Sequence, residues 1–146
     1  MIMWQSLNNE EKLSLWKKLR DDIKSENLNN QLLSISSFFS SMPFGSRTID
    51  YYNPYSWPTP WETLFYGKFC TSSISLLIFY TLTLVNIDVT IELLLVEDQN
   101  DIYLLPYIDN KFILNYELGQ ISNYSAVKEK FKILKRYSKK EIKIIK

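Results

Sequence analysis

The chain has 146 residues, 46% hydrophobic and 15% aromatic, with 17 Lys and Arg against 16 Asp and Glu and no histidine. That length and apolar content predict one domain with a buried core and exclude a disordered chain. The lone cysteine excludes an internal disulfide, and the missing histidine removes both the usual general base and the commonest zinc ligand.

Residues 1–24 turn charged before any apolar core of a leader forms, so no signal peptide is expected and the expected localisation is cytoplasmic. Asn9 to Ile23 reads as an amphipathic helix. Leu13, Trp16, Leu19 and Ile23 share one stripe, while Glu10 and Glu11 lie at the positive end of the helix dipole. Ser25 or Asn27 is placed to cap a second helix, on which Leu28, Leu32, Ile35 and Phe39 recur, and Pro43 and Gly45 end it. Both helices are expected to cover the core. Ser46 to Trp57 reads as an ordered loop, because Pro54, Pro58 and Pro60 bias their predecessors towards extended backbone. Its aromatic residues Tyr51, Tyr52, Tyr55 and Trp57 suit packing onto the domain, stacking on bases, or anchoring a protein partner.

The stretch from Trp57 to Val85 organises the rest. Thr59-Pro60-Trp61-Glu62 has the form of a capping box with proline at the first helical position, and Gly67 suits a reversal that needs positive φ. Cys70 then falls at the start of an apolar helix, where free N–H groups and the positive dipole end favour an anion, the setting of a cysteine nucleophile. Ile74 to Val85 is interrupted by Ser75, Thr81 and Thr83 and is shorter than the ~20 residues a bilayer span needs. Asn86 is a candidate left-handed terminator.

Asp88 to Glu97 alternates as a strand, with Val89, Ile91, Leu93 and Leu95 on one face and Glu92 on the other. Residues 98–101 signal a turn. Ile102 to Ile108 is a second strand, whose far end Pro106 assigns to an edge or bulge. Asp109-Asn110 is a hairpin, Lys111 to Asn115 a third strand, and Phe131 to Tyr137 and Glu141 to Ile145 one or two more. Helices followed by an antiparallel meander make an α+β fold. The near-zero net charge hides a basic end: residues 127–146 carry nine Lys or Arg against Glu129 and Glu141. Such an end suits an acidic partner, nucleic acid, or simply solvent.

Trp57, Thr59, Pro60, Glu62, Leu64, Gly67 and Cys70 carry the pattern W-x-T-P-x-E-x-L-x-x-G-x-x-C. This resembles the nucleophile segment of bacterial and phage transglutaminase-like cysteine peptidases of the papain-like superfamily, and the resemblance covers about residues 32–137. It implies N-terminal helices and a cysteine-bearing helix packed on an antiparallel sheet. It also implies one domain over 1–146, with a helical part at 1–45, a motif-bearing core at 57–137 and a basic end at 138–146. The family's nucleophile position is Cys70, its histidine position falls at Asn100 or Asp101, and its Leu-Asp position at Leu114-Asn115. Where the family has acidic residues beside the cysteine, this chain has Phe69, Thr71 and Ser72.

A cysteine hydrolase needs a base that takes the thiol proton and returns it to the leaving group. Without an imidazole, the expectation is a catalytically degenerate domain with a filled cleft, acting as a protein-binding or regulatory accessory protein. Size, a bias towards Ile, Lys, Asn and Tyr, and the resemblance together look like an accessory protein of a T4-like bacteriophage. Such a protein would meet a host or phage protein in the host cytoplasm through Tyr51, Tyr52, Tyr55, Trp57, Lys135 or Arg136. Two alternatives stay open: a cysteine-dependent amidase or acyltransferase with an unconventional or partner-supplied base, and a nucleic-acid-binding module using the basic end. No cofactor, metal or membrane contact is expected, since neither calcium-loop spacing nor a phosphate-cradling glycine loop occurs.

Overall fold

A computed structural model describes residues 2–85 and 87–142. Helix α1 (Asn9–Ile23) opens on a capping box: the Glu11 N–H donates to Asn8 Oδ1 and the Asn8 N–H donates to Glu11 Oε1. Its predicted stripe is buried at Trp16, Leu19 and Ile23. Two side chains tie its surroundings together. The buried Lys12 ammonium donates to the Leu64 carbonyl at the end of helix α3 (Pro60–Tyr66), and Gln31 Nε2 donates to the Ile23 carbonyl. Gln31 belongs to α2 (Leu28–Phe39), capped by Asn27, which buries Leu32, Ile35 and Phe39. Helix α3 has the predicted capping box between Thr59 and Glu62, and Gly67 closes it at φ 80°.

Helix α4 (Thr71–Leu84) is the centre of the molecule and is buried on all sides, as an apolar run without a polar face must be. Leu76, Leu77 and Phe79 are fully buried, each side chain stabilising the fold by roughly 1.5–3 kcal/mol. The Trp16 indole N–H donates to Thr81 Oγ1, which joins α1 to α4. Asn86 lies outside the described residues.

Five strands, β1 (Ile91–Asp98), β2 (Asp101–Ile108), β3 (Phe112–Leu114), β4 (Ile121–Asn123) and β5 (Lys132–Ser138), form one sheet in the order β4-β3-β2-β1-β5. Every pairing is antiparallel. Leu93 and Leu95 face the helices with Leu104 and Ile108. The opposite face is buried as well: Leu94, Val96, Leu105, Tyr107 and Ile113 pack beneath Val127 and Phe131. The single-faced alternation expected for β1 therefore needs correcting, since a strand covered on both sides reads as a continuous apolar run, here Leu93 to Val96. The cover comes from helix α5 (Tyr124–Val127) and the following turn, which the sequence reading missed along with β4. Pro106 lies at a local edge of β2 and not at a bulge: it pairs with Leu93 of β1 on one side, while β3 pairs only with Tyr107 and Ile108, so no strand stands opposite the position that lacks an N–H. Glu141 and Ile142 form a turn rather than a strand, and residues 143–146 lie outside the described residues.

Candidate functional site

Cys70 is the N-cap of α4, in extended backbone at φ −95°. Ser73 Oγ reaches back to accept from the Cys70 N–H at 3.0 Å and is hydrogen-bonded to the thiol at 3.1 Å. The segment before the cysteine is held by a parallel bridge between Phe44 and Phe69: the Gly45 N–H donates to the Phe69 carbonyl and the Phe69 N–H to that of Pro43. The approach is close enough that a Cβ on Gly45 would come within 2.5 Å of Lys68 Cβ, so only glycine fits.

The half-buried Cys70 borders an open cleft of about 440 Å³. Phe44, Arg47 and Tyr51 line it from the loop, Thr71 and Ser72 from α4, and Asp101, Ile102 and Tyr103 from β2. A smaller hollow of about 150 Å³ lies on the other side, shared by Cys70 and Phe44 with Asn115, Tyr116 and Leu118. The filled cleft expected from the loss of the acidic residues is thus incorrect. Thr71 and Ser72 are small, and Ser72 turns its hydroxyl inward instead of plugging the space.

Ser72 Oγ accepts from the Leu104 N–H at 3.0 Å and is hydrogen-bonded to the Tyr51 hydroxyl at 2.9 Å. Burial pushes the Tyr51 hydroxyl above its ordinary pKa, the Ser72 hydrogen bond opposing this and charge on Cys70 adding to it. Tyr103 is raised further, by burial first and then by its hydrogen bond to Asp98. Tyr116 also donates to Asp98, so that carboxylate is engaged twice.

Asn115 is buried at φ 67°, in the left-handed region that asparagine tolerates. Its Nδ2 donates to the Thr71 carbonyl at 2.9 Å and to Ser75 Oγ at 3.0 Å, and Ser75 donates onward to the Leu104 carbonyl. Of the two residues at the family's histidine position, Asp101 lines the cleft, whereas Asn100 stands exposed in the β1–β2 turn at φ 73°. Cys70 and Asp101 thus share one cleft, and Cys70 and Asn115 share the adjoining hollow.

Arg47 went unnoticed in the sequence. Its guanidinium lies 4.4 Å over the Tyr66 ring, yet Nη1 is buried without a hydrogen-bond partner, and no ion pair reaches it among the described residues. Leaving such a group unmet costs on the order of 1–3 kcal/mol. Ser72 and Ser75 were missed too, although hydroxyls inside an otherwise apolar helix are a readable sign of buried hydrogen bonds.

The surface candidates divide. Tyr52 and Tyr55 are 62% and 72% exposed. Trp57 is only 4% exposed, donates from Nε1 to the Asp50 carbonyl and meets Tyr137 edge-on at 5.0 Å, so it anchors the loop and cannot touch a partner. Lys135 lies over the Tyr137 ring, and Arg136 makes two hydrogen bonds to Glu92, which occupies much of the charge expected to steer a ligand. No group of three or more His, Cys, Asp or Glu side chains converges on a metal-sized site among the described residues, and none of their helices is long and apolar enough to cross a membrane.

No family model matches the chain, and no curated protein sequence does. Solved structures do match. Calcium-bound LapG of Legionella pneumophila superposes with a TM-score of 0.69 at 18% identity, covering 97% of this chain and 86% of that one. A second LapG structure gives 0.72 at 19% over 93% and 78%, and the EGTA-treated form 0.74 at 18% over 94% and 78%. The fold is therefore transglutaminase-like within the papain-like class, with a cysteine-bearing helix packed on an antiparallel sheet.

Proposed function

We propose that this transglutaminase-like domain is a binding module that has lost hydrolysis, holding a protein partner at the cleft beside Cys70 and at the exposed tyrosines of the neighbouring loop. The observation that carries this reading is what stands where a base belongs. The histidine position brings Asp101 to the cleft, and the chain has no imidazole anywhere to replace it. Asp101 is exposed, and it brings a carboxylate to the place where thiol hydrolysis uses an imidazole as both base and acid. Asn115 donates both Nδ2 hydrogens to Thr71 and Ser75, and its Oδ1, the acceptor that would orient an imidazole, has no imidazole in the chain to orient. The residue bias favours a phage source, which makes a host or phage protein the proposed partner.

A second reading is supported by Cys70 itself, which stands at a helix N-terminus beside an open cleft: an amidase or acyltransferase completed by a base from another chain. One experiment separates the two. Tagged wild-type and Cys70→Ala proteins are used to capture partners from native-source lysate, and the captured proteins are weighed intact. Equal capture of an uncleaved partner is expected. A covalent adduct on Cys70, or a partner shortened only by the wild type, would select the enzyme.

A further inference from the structure

Arg47 is the unmatched cation of the cleft. The bridge between Phe44 and Phe69 fixes the loop it stands on, and the Tyr66 ring supports its guanidinium from one side. No carboxylate of the described chain pairs with it, and one of its N–H groups is buried unmet. Two apolar side chains on the cleft's otherwise mixed rim are open to solvent: Phe44 is 81% exposed and Ile102 39%. A guanidinium presents a planar fork that matches a carboxylate with two parallel hydrogen bonds. Asp101 shares the cleft, so a phosphate, with close to two negative charges, would meet one cation and one repelling carboxylate. A single negative charge suits the site better.

We propose that the cleft binds an extended polypeptide segment through one acidic side chain, its carboxylate paired with Arg47 and its apolar neighbours lying on Phe44 and Ile102. The proposal rests on the binding-module reading and names the chemistry of the partner that the cleft would accept. Pairing would use the guanidinium N–H groups other than the buried Nη1 and would match a cation that has no ion pair among the described residues, while the two rim side chains would be removed from water.

The test is a titration of the isotopically labelled full chain with N-acetyl-Leu-Glu-Leu-amide, with the Leu-Gln-Leu analogue, and with the analogue carrying phosphoserine. Magnetic resonance signals of the Arg47 side-chain Nε–H and of the Phe44 and Thr71 amides report on the cleft. The glutamate peptide should shift these signals saturably and bind at least fivefold more tightly than the other two. Arg47→Ala should abolish that preference with the remaining amide spectrum unchanged. If alanine disturbs the fold, Arg47→Lys should retain a weakened preference. Equal binding of Glu and Gln peptides, tighter binding of the phosphoserine peptide, or no saturable shift with any of them overturns the proposal. Mass spectra of the same samples separate it from the reading beneath. A bound peptide found cleaved would end the binding-module reading and leave the Arg47 assignment intact, whereas an intact, unbound peptide would do the reverse.

Discussion

On the wall of the cleft made by α4 and the middle of β2, the Ser72, Ser75 and Tyr103 hydroxyls all have partners. Ser72 meets Leu104 and Tyr51, Ser75 meets Leu104 and Asn115, and Tyr103 meets Asp98. On the wall made by the 44–47 loop and the start of β2, Arg47 has an unmet buried N–H, no hydrogen bond or ion pair engages the Asp101 carboxylate among the described residues, and Phe44 faces water. Buried polar groups are normally paired, so the first wall is what holding a fold requires. The second is what folding alone does not explain. Substitutions should therefore divide by wall: large losses of stability on the matched side, and changes of binding with little loss on the open side.

The largest loss should come where the loop is anchored behind the matched wall. Trp57→Ala removes a buried indole, its bond to Asp50 and the edge contact with Tyr137, and should cost about 3–5 kcal/mol in urea unfolding. Since Tyr137 also donates to the Tyr51 carbonyl, the same variant should loosen Tyr51. Asn115→Ala comes next, at about 3 kcal/mol, because it loses two hydrogen bonds and places a Cβ-bearing residue without a polar side chain at φ 67°. Asn115→Gly should recover part of that loss, since glycine accepts the backbone angle. Equal losses in the two variants would show that the angle contributes nothing.

The pH dependence should come from the matched wall too. Tyr51, Tyr103 and Tyr116 all have raised pKa values, chiefly through burial. A raised folded-state pKa means that the neutral phenol is favoured in the fold. Its stabilising contribution is complete below the unfolded value of about 10 and is lost as pH rises through the folded one. With no histidine to titrate, stability should stay nearly level from pH 6 to 8 and fall above about pH 10. Tyr103→Phe should flatten that alkaline fall. A decline beginning near pH 7 would contradict the assignment. On the open wall, Asp101→Asn should shift stability by no more than about 0.5 kcal/mol, as exposed unpaired charges do.

The same division explains what could be read from the chain. Thr59, Pro60, Glu62 and Gly67 act on neighbours three or four residues away, so their capping box and reversal were legible locally. The Asp109-Asn110 hairpin was likewise legible, both residues taking positive φ. The cover over Leu94 and Val96 was not, because it depends on Val127 and Phe131, some thirty residues onward, arriving on the second face. Trp57 and Arg47 went wrong in opposite directions for a related reason. Aromatic density marked Trp57 as surface, but its neighbour in space is Tyr137. Nothing in Ser46-Arg47-Thr48 tells that the guanidinium will rest on Tyr66 at the end of another helix. The nucleophile position was visible because its motif is contiguous. The open state of the cleft was not, because side-chain type alone does not say which way Ser72 points.

A small effect of the opposite sign is expected where the two walls meet. Cys70 occupies the N-cap of α4 with the extended backbone that caps require. Sulfur is a weak acceptor there, whereas serine is among the preferred caps. If the thiol is retained without chemistry, Cys70→Ser should raise stability by about 0.5 kcal/mol, through a better hydrogen bond to the first turn. Ser73 would continue to accept from the residue-70 N–H, so the back half of the cap is unchanged. The same variant removes the only thiol in the chain, and labelling by iodoacetamide must then vanish. Two measurements on one protein therefore decide between the readings of this position. Stability that rises slightly, with partner capture within twofold of wild type, fits a binding module whose cysteine is a remnant. Unchanged stability with lost capture, or lost processing of a captured partner, would mean that the sulfur is kept for its reactivity and that a base reaches it from another chain.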